Sequence, residues 1–469
     1  MMLNNNKPDH SNKPLDKAFI KILRGLFPSE RLSADPVDLL TYSYDATKKE
    51  YLPQMVVWAE NAEEISALLR AACEYQVPVY PRGGGTGLSG GALATHGGVL
   101  LSMERMDKIL NLDEENRLLT AQPGVPLGVL KAAAQKRGLF YPPDPSSAKT
   151  ASLGGTLAEC AGGLNCVKYG TTKDWIQSIQ AVLPTGEIVK AGTKARKNVV
   201  GYNLLQLLIG SEGTLAVITE ATVRLIPNPS AHSAFAALFD SIDDSSQAVQ
   251  AILKSGVTPC ALEFIDRQCL EAANEYVQDR RIPIAEALLL VETDGFDELL
   301  VGQDARALAD ICRQQGASEI RPAQTEEERQ ALWDIRRSLS PAMYAKAPFK
   351  TNEDVCVPVS AYPLLMQKAY EISERHRVMT LCFGHAGDGN IHVNFMSRLE
   401  NDPSVIAAVK DLFRAVVDMG GSISGEHGIG IAKAPYISFE LGECERKLIT
   451  DIKRLFDPHN ILNPEKIVV

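Results

Sequence analysis

The stretch PRGGGTGLSGGA, residues 81–92, restricts the fold more than any other part of the chain. Gly83, Gly84, Gly85, Gly87, Gly90 and Gly91 crowd into one loop. Backbone without side chains turns with positive φ and lays its N–H groups against a pyrophosphate. Gly85, Gly87 and Gly90 also satisfy G-x-G-x-x-G, the fingerprint of a dinucleotide-binding Rossmann unit. That fingerprint requires the loop to open a helix. Here the loop follows a predicted strand, VPVY, and runs through ALATHGG into another, VLLSM. The context therefore predicts a phosphate-wrapping loop of a different fold. Upstream, QMVVWAENAEEISALLRAACEYQ reads as strand then helix, with Ile65, Leu68, Leu69 and Ala72 on one apolar face. Asn61 and Glu64 resemble a capping box at the helix start. Two further segments, 141–170 and 201–227, mix glycines, hydroxyls and strand-like runs. Together the three predict one large, phosphate-bearing ligand touched along its length.

A second centre lies at CFGHAGDGNIHVNF, residues 382–395. His385 and His392 flank a glycine-rich turn, too far apart in sequence for a metal pair on one helix. IHVNF alternates like a strand, so His392 and Asn394 share a face. The two histidines either converge on one point or are unrelated turn and core residues. Two ligands are too few for a metal. GGSISGEHGIGIAK offers Glu426 and His427 in another glycine-rich turn. Glu426 would complete a set of two imidazoles and a carboxylate, suited to zinc, manganese or iron with positions left for substrate. The alternative is a solvated Glu-His pair. On a predicted helix, Arg336 and Ser340 are four apart and share a face, which suits either capture of a carboxylate or a solvated surface.

The formal net charge of -10 disfavours nucleic acid as a partner. No apolar run approaches the ~20 residues of a membrane helix. The opening MMLNNNKPDHSNK is polar, lacks the apolar core of a secretory signal and is expected to be a frayed tail. Nine cysteines are scattered without a C-x-x-C pair, which argues against an iron–sulfur cluster or zinc ribbon and suggests the reduced thiols of a cytoplasmic protein.

PRGGGTGLSGG, PPDPSSAKTASLGGTLAECAGG, KYG and LLIGSEGTLAVITEATVRLIP resemble the FAD-binding domain of the vanillyl-alcohol oxidase and p-cresol methylhydroxylase flavoproteins. GHAGDGNIH, SGEHGIG and FDPHNILNPEK narrow the resemblance to the FAD-linked D-2-hydroxyacid dehydrogenases, which include D-lactate dehydrogenase, D-2-hydroxyglutarate dehydrogenase and the FAD subunit of glycolate oxidase. The match runs from about residue 40 to the end of the chain. It implies that Arg82, Gly83, Gly84, Gly85, Thr86, Gly87, Gly90 and Gly91 hold the pyrophosphate. Pro143, Asp144, Thr150, Gly154, Gly155, Ala161 and Gly162 would line the flavin, and Glu212, Gly213 and Ile218 the adenosine side or its neighbourhood. FAD should be noncovalent, because no attachment histidine precedes His96. Cys160 departs from the commoner Asn after Ala-Glu and puts hydrogen bonding near the flavin in doubt.

The same resemblance implies His385, His392 and Glu426 as ligands of a divalent metal, and His427 beside them as a general base. It selects Arg336 over Arg337 for the substrate carboxylate, with Ser340 and Asn394 as further substrate contacts. A substrate lysine of the hydroxyglutarate branch has no clean counterpart: Asn352 takes its place, with Lys350 two residues earlier. The implied activity is oxidation of a small D-2-hydroxy acid, D-lactate or glycolate before D-2-hydroxyglutarate. Electrons would pass to a separate acceptor, whether an iron–sulfur subunit, an electron-transferring flavoprotein, a cytochrome or quinone. Membrane contact would be peripheral, at the inner face through such a partner. A homodimer and a non-catalytic flavin-binding subunit stay open as alternatives.

The fold expected is α+β. A helical N-terminal region spans 1–50, an FAD-binding domain of the p-cresol methylhydroxylase type 51–229, and a substrate domain 230–469. The prolines of IPNPSAH mark the second boundary. Alternating helix-like and strand-like runs predict an antiparallel sheet with helices on one side, and CERKLITDIKRLFDPHNILNPEK a helix that returns to the FAD domain.

Overall fold

The computed structural model describes residues 14–277 and 283–467; the polar tail read at 1–13 lies outside them. The architecture is α+β, built on three main sheets. The first has the strand order Leu32–Ser33, Met55–Trp58, Val99–Ser102, Val79–Arg82, the last three mutually parallel. Helix Ala62–Tyr75 connects two of them. Its Ile65, Leu68, Leu69 and Ala72 are each 0% exposed, and burial of each larger aliphatic side chain contributes about 1.5–3 kcal/mol. Asn61 Oδ1 accepts the Glu64 N–H at 2.9 Å. The reciprocal half of the capping box is absent. Glu64 instead accepts the Glu60 N–H and holds both terminal nitrogens of Arg31, at 2.7 and 2.8 Å. A guanidinium fork outcompetes the single N-cap amide for that carboxylate. After Arg82 the glycine loop reaches strand Val99–Ser102 without an intervening helix.

The second sheet is antiparallel, ordered Ile109–Asp113, Leu118–Ala121, Val217–Arg224, Ile176–Val182, Ile188–Gly192. The third has seven antiparallel strands: Ala317–Pro322, Ala231–Phe239, Ala287–Gly295, Ala261–Asp266, Met379–His385, Asn390–Ser397 and Phe349–Cys356. Helices Ile242–Lys254, Glu298–Gln314, Tyr362–His376 and Pro403–Asp418 pack on one face, through Leu289, Val291 and Phe264. The expectation of helices on one side needs correction. Helices Arg267–Tyr276 and Glu326–Ala342 cover the other face, over Leu288, Leu290 and Leu381. The continuous apolar run ALLLV is the cause, because successive side chains point to opposite faces and both must be covered.

Helix Glu443–Phe456 leads the chain back to the first sheet. Ile461 O accepts the Val79 N–H and Val79 O the Asn463 N–H, each at 2.8 Å. Lys466 Nζ then donates to Gly90 O and Leu93 O at 2.7 and 2.9 Å, so the last segment closes on the glycine loop.

Candidate active site

His385 ends one strand of the third sheet, and His392 lies early in the next, opposite Phe383. Gly389, at φ +72°, closes the turn between them. A Cβ there would strike Val357 O. The two imidazoles meet edge to face, ring centroids 5.3 Å apart. Glu426 Oε1 lies 3.5 Å from His385 Nε2 and 3.4 Å from His392 Nε2. All three candidate ligand atoms fall within 4.8 Å of one another. Ligands at ~2.1 Å from one tetrahedral ion are separated by about 3.4 Å, so the donor set fits such an ion. His385 Nε2 is buried and without a hydrogen-bond partner, an orphan a cation would satisfy.

Glu263 organises this group. It sits in the buried strand Ala261–Asp266, with Oε1 2.6 Å from His385 Nδ1 and Oε2 accepting from Arg336 Nε at 2.6 Å. The first contact leaves His385 Nε2 for the metal group, the carboxylate–histidine arrangement usual at metal sites. Burial opposes the charge on Glu263 and Glu426, but His385 and the neighbouring cations outweigh it and hold each at about 2. Burial likewise opposes protonation of His385, yet Glu263 and Glu426 push it up to about 10. His392 goes the other way, to about 3, through burial with little compensation. A bound divalent ion would replace the proton on His385.

The SGEHGIG turn is pinned by two buried carboxylates. Asp354 Oδ2 accepts the N–H groups of Gly425, Glu426 and His427 at 3.0, 2.9 and 2.8 Å. Glu212 accepts those of Ile429 and Gly430 at 2.7 and 2.6 Å. His427 stacks on His392, its Nε2 3.6 Å from Glu426 Oε1 and its Nδ1 3.9 Å from Asp354 Oδ2. Asp354, His392 and His427 form a second group with metal-ligand spacing. Its carboxylate is already committed to three amides, so the first group is the better cage.

One cavity joins the two halves of the molecule. Its wall includes Arg82, Gly83, Gly84, Gly85, Thr86, Gly87, Gly91, Gly154, Gly155, Ala161, Glu212, Gly213 and Ile218 from one side. From the other come Arg336, Arg337, Ser340, Asn352, Phe383, His392, Glu426 and His427. A Cβ on Gly83 would collide with Ser152 Oγ and one on Gly84 with Thr150 O, so the loop must be bare backbone. Arg82 Nη1 is buried there without a partner, a donor that an anionic phosphate would satisfy.

Four residues expected at the flavin, Pro143, Asp144, Thr150 and Gly162, and one expected at the pyrophosphate, Gly90, lie off this wall. Lys131 Nζ takes Pro143 O and Asp144 Oδ1, at 3.0 and 2.5 Å. Thr150 hydrogen-bonds Ser147 O, Gly162 backs Glu426, and Gly90 serves Lys466 through its carbonyl. Glu212 borders the cavity, but its oxygens bind the SGEHGIG turn. Cys160 caps a helix at φ +51° and faces Thr171 Oγ1 at 3.7 Å, away from the cavity.

Arg336 is 3% exposed, lies 4.5 Å over the Phe383 ring and keeps Nη2 unpartnered. Arg337 touches the wall but is exposed, with its Nη1 3.5 Å from Asp334 Oδ1. Ser340 accepts from Lys350 Nζ at 2.7 Å. Asn394 is fully buried and saturated: it donates to Leu381 O and His392 O and accepts from Asn352 Nδ2 at 2.6 Å. It therefore positions Asn352, which reaches the cavity, instead of facing it. Glu263 and Asp354 were missed as site organisers, and Asn352 was seen only in the place of a substrate lysine; for Glu263 the signal available was a polar residue within a fully buried strand.

Comparison with known proteins agrees with this geometry. The FAD binding domain family matches residues 53–192, and the C-terminal domain family of FAD linked oxidases matches residues 228–467. Glycolate oxidase subunit GlcD of Bacillus subtilis is 40% identical over 91% of this chain and 92% of its own length. A D-lactate dehydrogenase of Archaeoglobus fulgidus is 38% identical over 91% and 95%. A D-2-hydroxyglutarate dehydrogenase of Xanthomonas citri is 34% identical over 95% and 96%. Among solved structures, p-cresol methylhydroxylase with substrate bound superposes with TM-score 0.81 at 17% identity, covering 97% of this chain and 98% of that one. 4-Ethylphenol oxidase from Gulosibacter chungangensis gives 0.78 at 19%, over 96% and 97%. The chain thus belongs to the FAD-linked oxidase family and is a flavoprotein oxidoreductase on the p-cresol methylhydroxylase fold.

Proposed function

We propose that this enzyme oxidises a small D-2-hydroxy acid, D-lactate or glycolate first, to the 2-oxo acid, using noncovalent FAD and a divalent metal. The observation that carries the reading is one cavity bordered by a glycine cradle, an arginine with a free donor and the Glu426–His427 turn. The names of the relatives support the substrate class. Bound FAD supplies the hydride acceptor, and a divalent ion on His385, His392 and Glu426 supplies Lewis acidity and orientation.

The chain's own residues do the rest. Arg336 Nη2 grips the substrate carboxylate, its guanidinium held by Glu263 and Phe383. Ser340 and Asn352 add polar contacts at the wall. His427 Nε2 takes the hydroxyl proton, while Asp354 faces Nδ1 and steadies the imidazolium that forms. Electrons leave to a separate acceptor, since the nine cysteines include no cluster motif. No helix among the described residues is long and apolar enough to cross a membrane.

D-2-Hydroxyglutarate is the second reading. It is supported by the name of one relative and by the Lys350 ammonium, which lies outside the cavity wall but donates to its Ser340. The test is anaerobic titration of the purified flavoprotein with a panel of D- and L-2-hydroxy acids. Bleaching of the flavin by D-lactate or glycolate supports the first reading, and preferential bleaching by D-2-hydroxyglutarate the second. A flavin that no hydroxy acid bleaches overturns both.

A further inference from the structure

Behind the flavin cradle lies a pair of acids, Glu212 buried and Glu159 half-buried with its Oε2 enclosed, that have no role in the reaction as derived above. Glu159 ends helix Leu153–Glu159, and Glu212 sits at φ +51° in the GSEG turn. Both border the cavity. A Cβ on Gly428 would collide with Glu159 Oε2 and lie 3.0 Å from Glu212 Oε1, so the two carboxyls converge on the backbone next to His427. Their situations differ. Glu212 receives two short backbone N–H bonds, from Ile429 and Gly430. Glu159 Oε2 is buried with no hydrogen-bond partner. The charged groups that face Glu159 are Glu212, Asp45 and Lys466, and the Lys466 ammonium is committed to the Gly90 and Leu93 carbonyls. Two carboxylates side by side in such a place cannot both ionise. The N–H bonds assign the charge to Glu212 and leave the proton to Glu159. Burial pushes both groups up, Glu159 well above the usual carboxylate range.

We infer that Glu159 is a positioning residue: as a neutral acid it donates its O–H to Glu212, which stays ionised and clamps the Ile429–Gly430 backbone, fixing His427 against the flavin cavity. Asp354 holds the same turn from the substrate domain, so the base is suspended between one carboxylate from each half of the molecule. Without the donor, Glu212 would take up the proton itself and lose its grip on the amides. The consequence for rate rests on the hydroxy-acid reading; the protonation state does not.

The experiment uses the FAD-loaded, metal-replete full chain. Glu159→Gln keeps a neutral donor of the same shape, and Glu159→Leu removes it. The infrared difference between parent and Glu159→Gln at pH 7 should contain a protonated-carboxyl C=O band, which Glu212→Gln retains. Flavin reduction by substrate should stay within about threefold of the parent in Glu159→Gln. It should fall at least about tenfold in Glu159→Leu, chiefly in kcat, with FAD retained. Absence of the protonated-carboxyl band from the difference overturns the inference. So does a Glu159→Gln variant that loses FAD or is as slow as Glu159→Leu. If no hydroxy acid reduces the parent flavin, the proposed reaction fails while the infrared arm still decides the proton.

Discussion

His427 lies face to face on His392, ring centroids 5.2 Å apart and planes 11° from parallel. The stack places a candidate base against a candidate metal ligand, although the two residues come from different elements of the chain. It also separates their duties. His392 Nε2 faces Glu426 from within the buried hairpin, whereas His427 rides on the turn held by Asp354 and Glu212.

Glu263 should prove as important as any ligand. Glu263→Gln weakens the orientation of His385 and strips Arg336 of its buried counter-charge. Metal affinity should fall about 10–100-fold. Stability should drop by ~3–5 kcal/mol, because a buried guanidinium is left unpaired. Metal titration and denaturant unfolding of the variant check both effects.

Arg336→Lys tests carboxylate recognition. A lysine keeps the charge but loses the planar fork held between Glu263 and Phe383. KM for the hydroxy acid should rise by ~10–100-fold, the equivalent of about 1.5–3 kcal/mol for a charged hydrogen bond. Arg337→Lys, on the exposed neighbour, should change KM little. Steady-state kinetics of the two variants decide between them.

These assignments show what a single chain reveals before its structure is seen. The α+β fold was legible because strand, helix and glycine loop follow one another with clear periods from Met55 to Gly91. The approach of His385, His392 and Glu426 was legible because glycine turns flank all three. Glu263 and Asp354 were not. Glu263 shares its strand with Asp266 and Asp354 follows Glu353, and only pairing across the third sheet brings either to the site. Asn394 was misread for a related reason. Strand alternation places it beside His392 but cannot reveal that neighbouring backbone carbonyls and Asn352 use up its amide. The second layer of helices on the large sheet was written in ALLLV, an unbroken apolar run that one covered face would not need.

Cofactor release should be simple. Denaturation by heat or acid should free FAD from the polypeptide, since His392 and His427 are the histidines on the cavity wall and both belong to the catalytic group. Flavin fluorescence that stays with the precipitated chain would refute noncovalent binding.

His232 gives a pH prediction away from the site. Its hydrogen bond to Glu292 at 2.9 Å raises its pKa above the ordinary 6.5, against burial and the nearby Arg329. A raised folded-state value means the stabilisation is complete below about 6.5 and is lost as pH rises through the folded pKa. The imidazole is partly exposed, so the contribution is ~1 kcal/mol or less. Unfolding free energies of parent and His232→Gln should differ most in acid and converge in base. A gap that widens with pH would reverse the assignment.

The central claim is that His427 moves the proton while Glu426 holds the metal. The most direct measurement sets metal content beside the rate of anaerobic flavin reduction in His427→Ala and Glu426→Ala. His427→Ala should keep FAD and metal and slow reduction by about 10²–10⁴, the range for loss of a general base. Glu426→Ala should lose metal and activity together. If His427→Ala loses metal and Glu426→Ala keeps it, the roles are reversed; if His427→Ala reduces flavin at the parent rate, the base lies elsewhere.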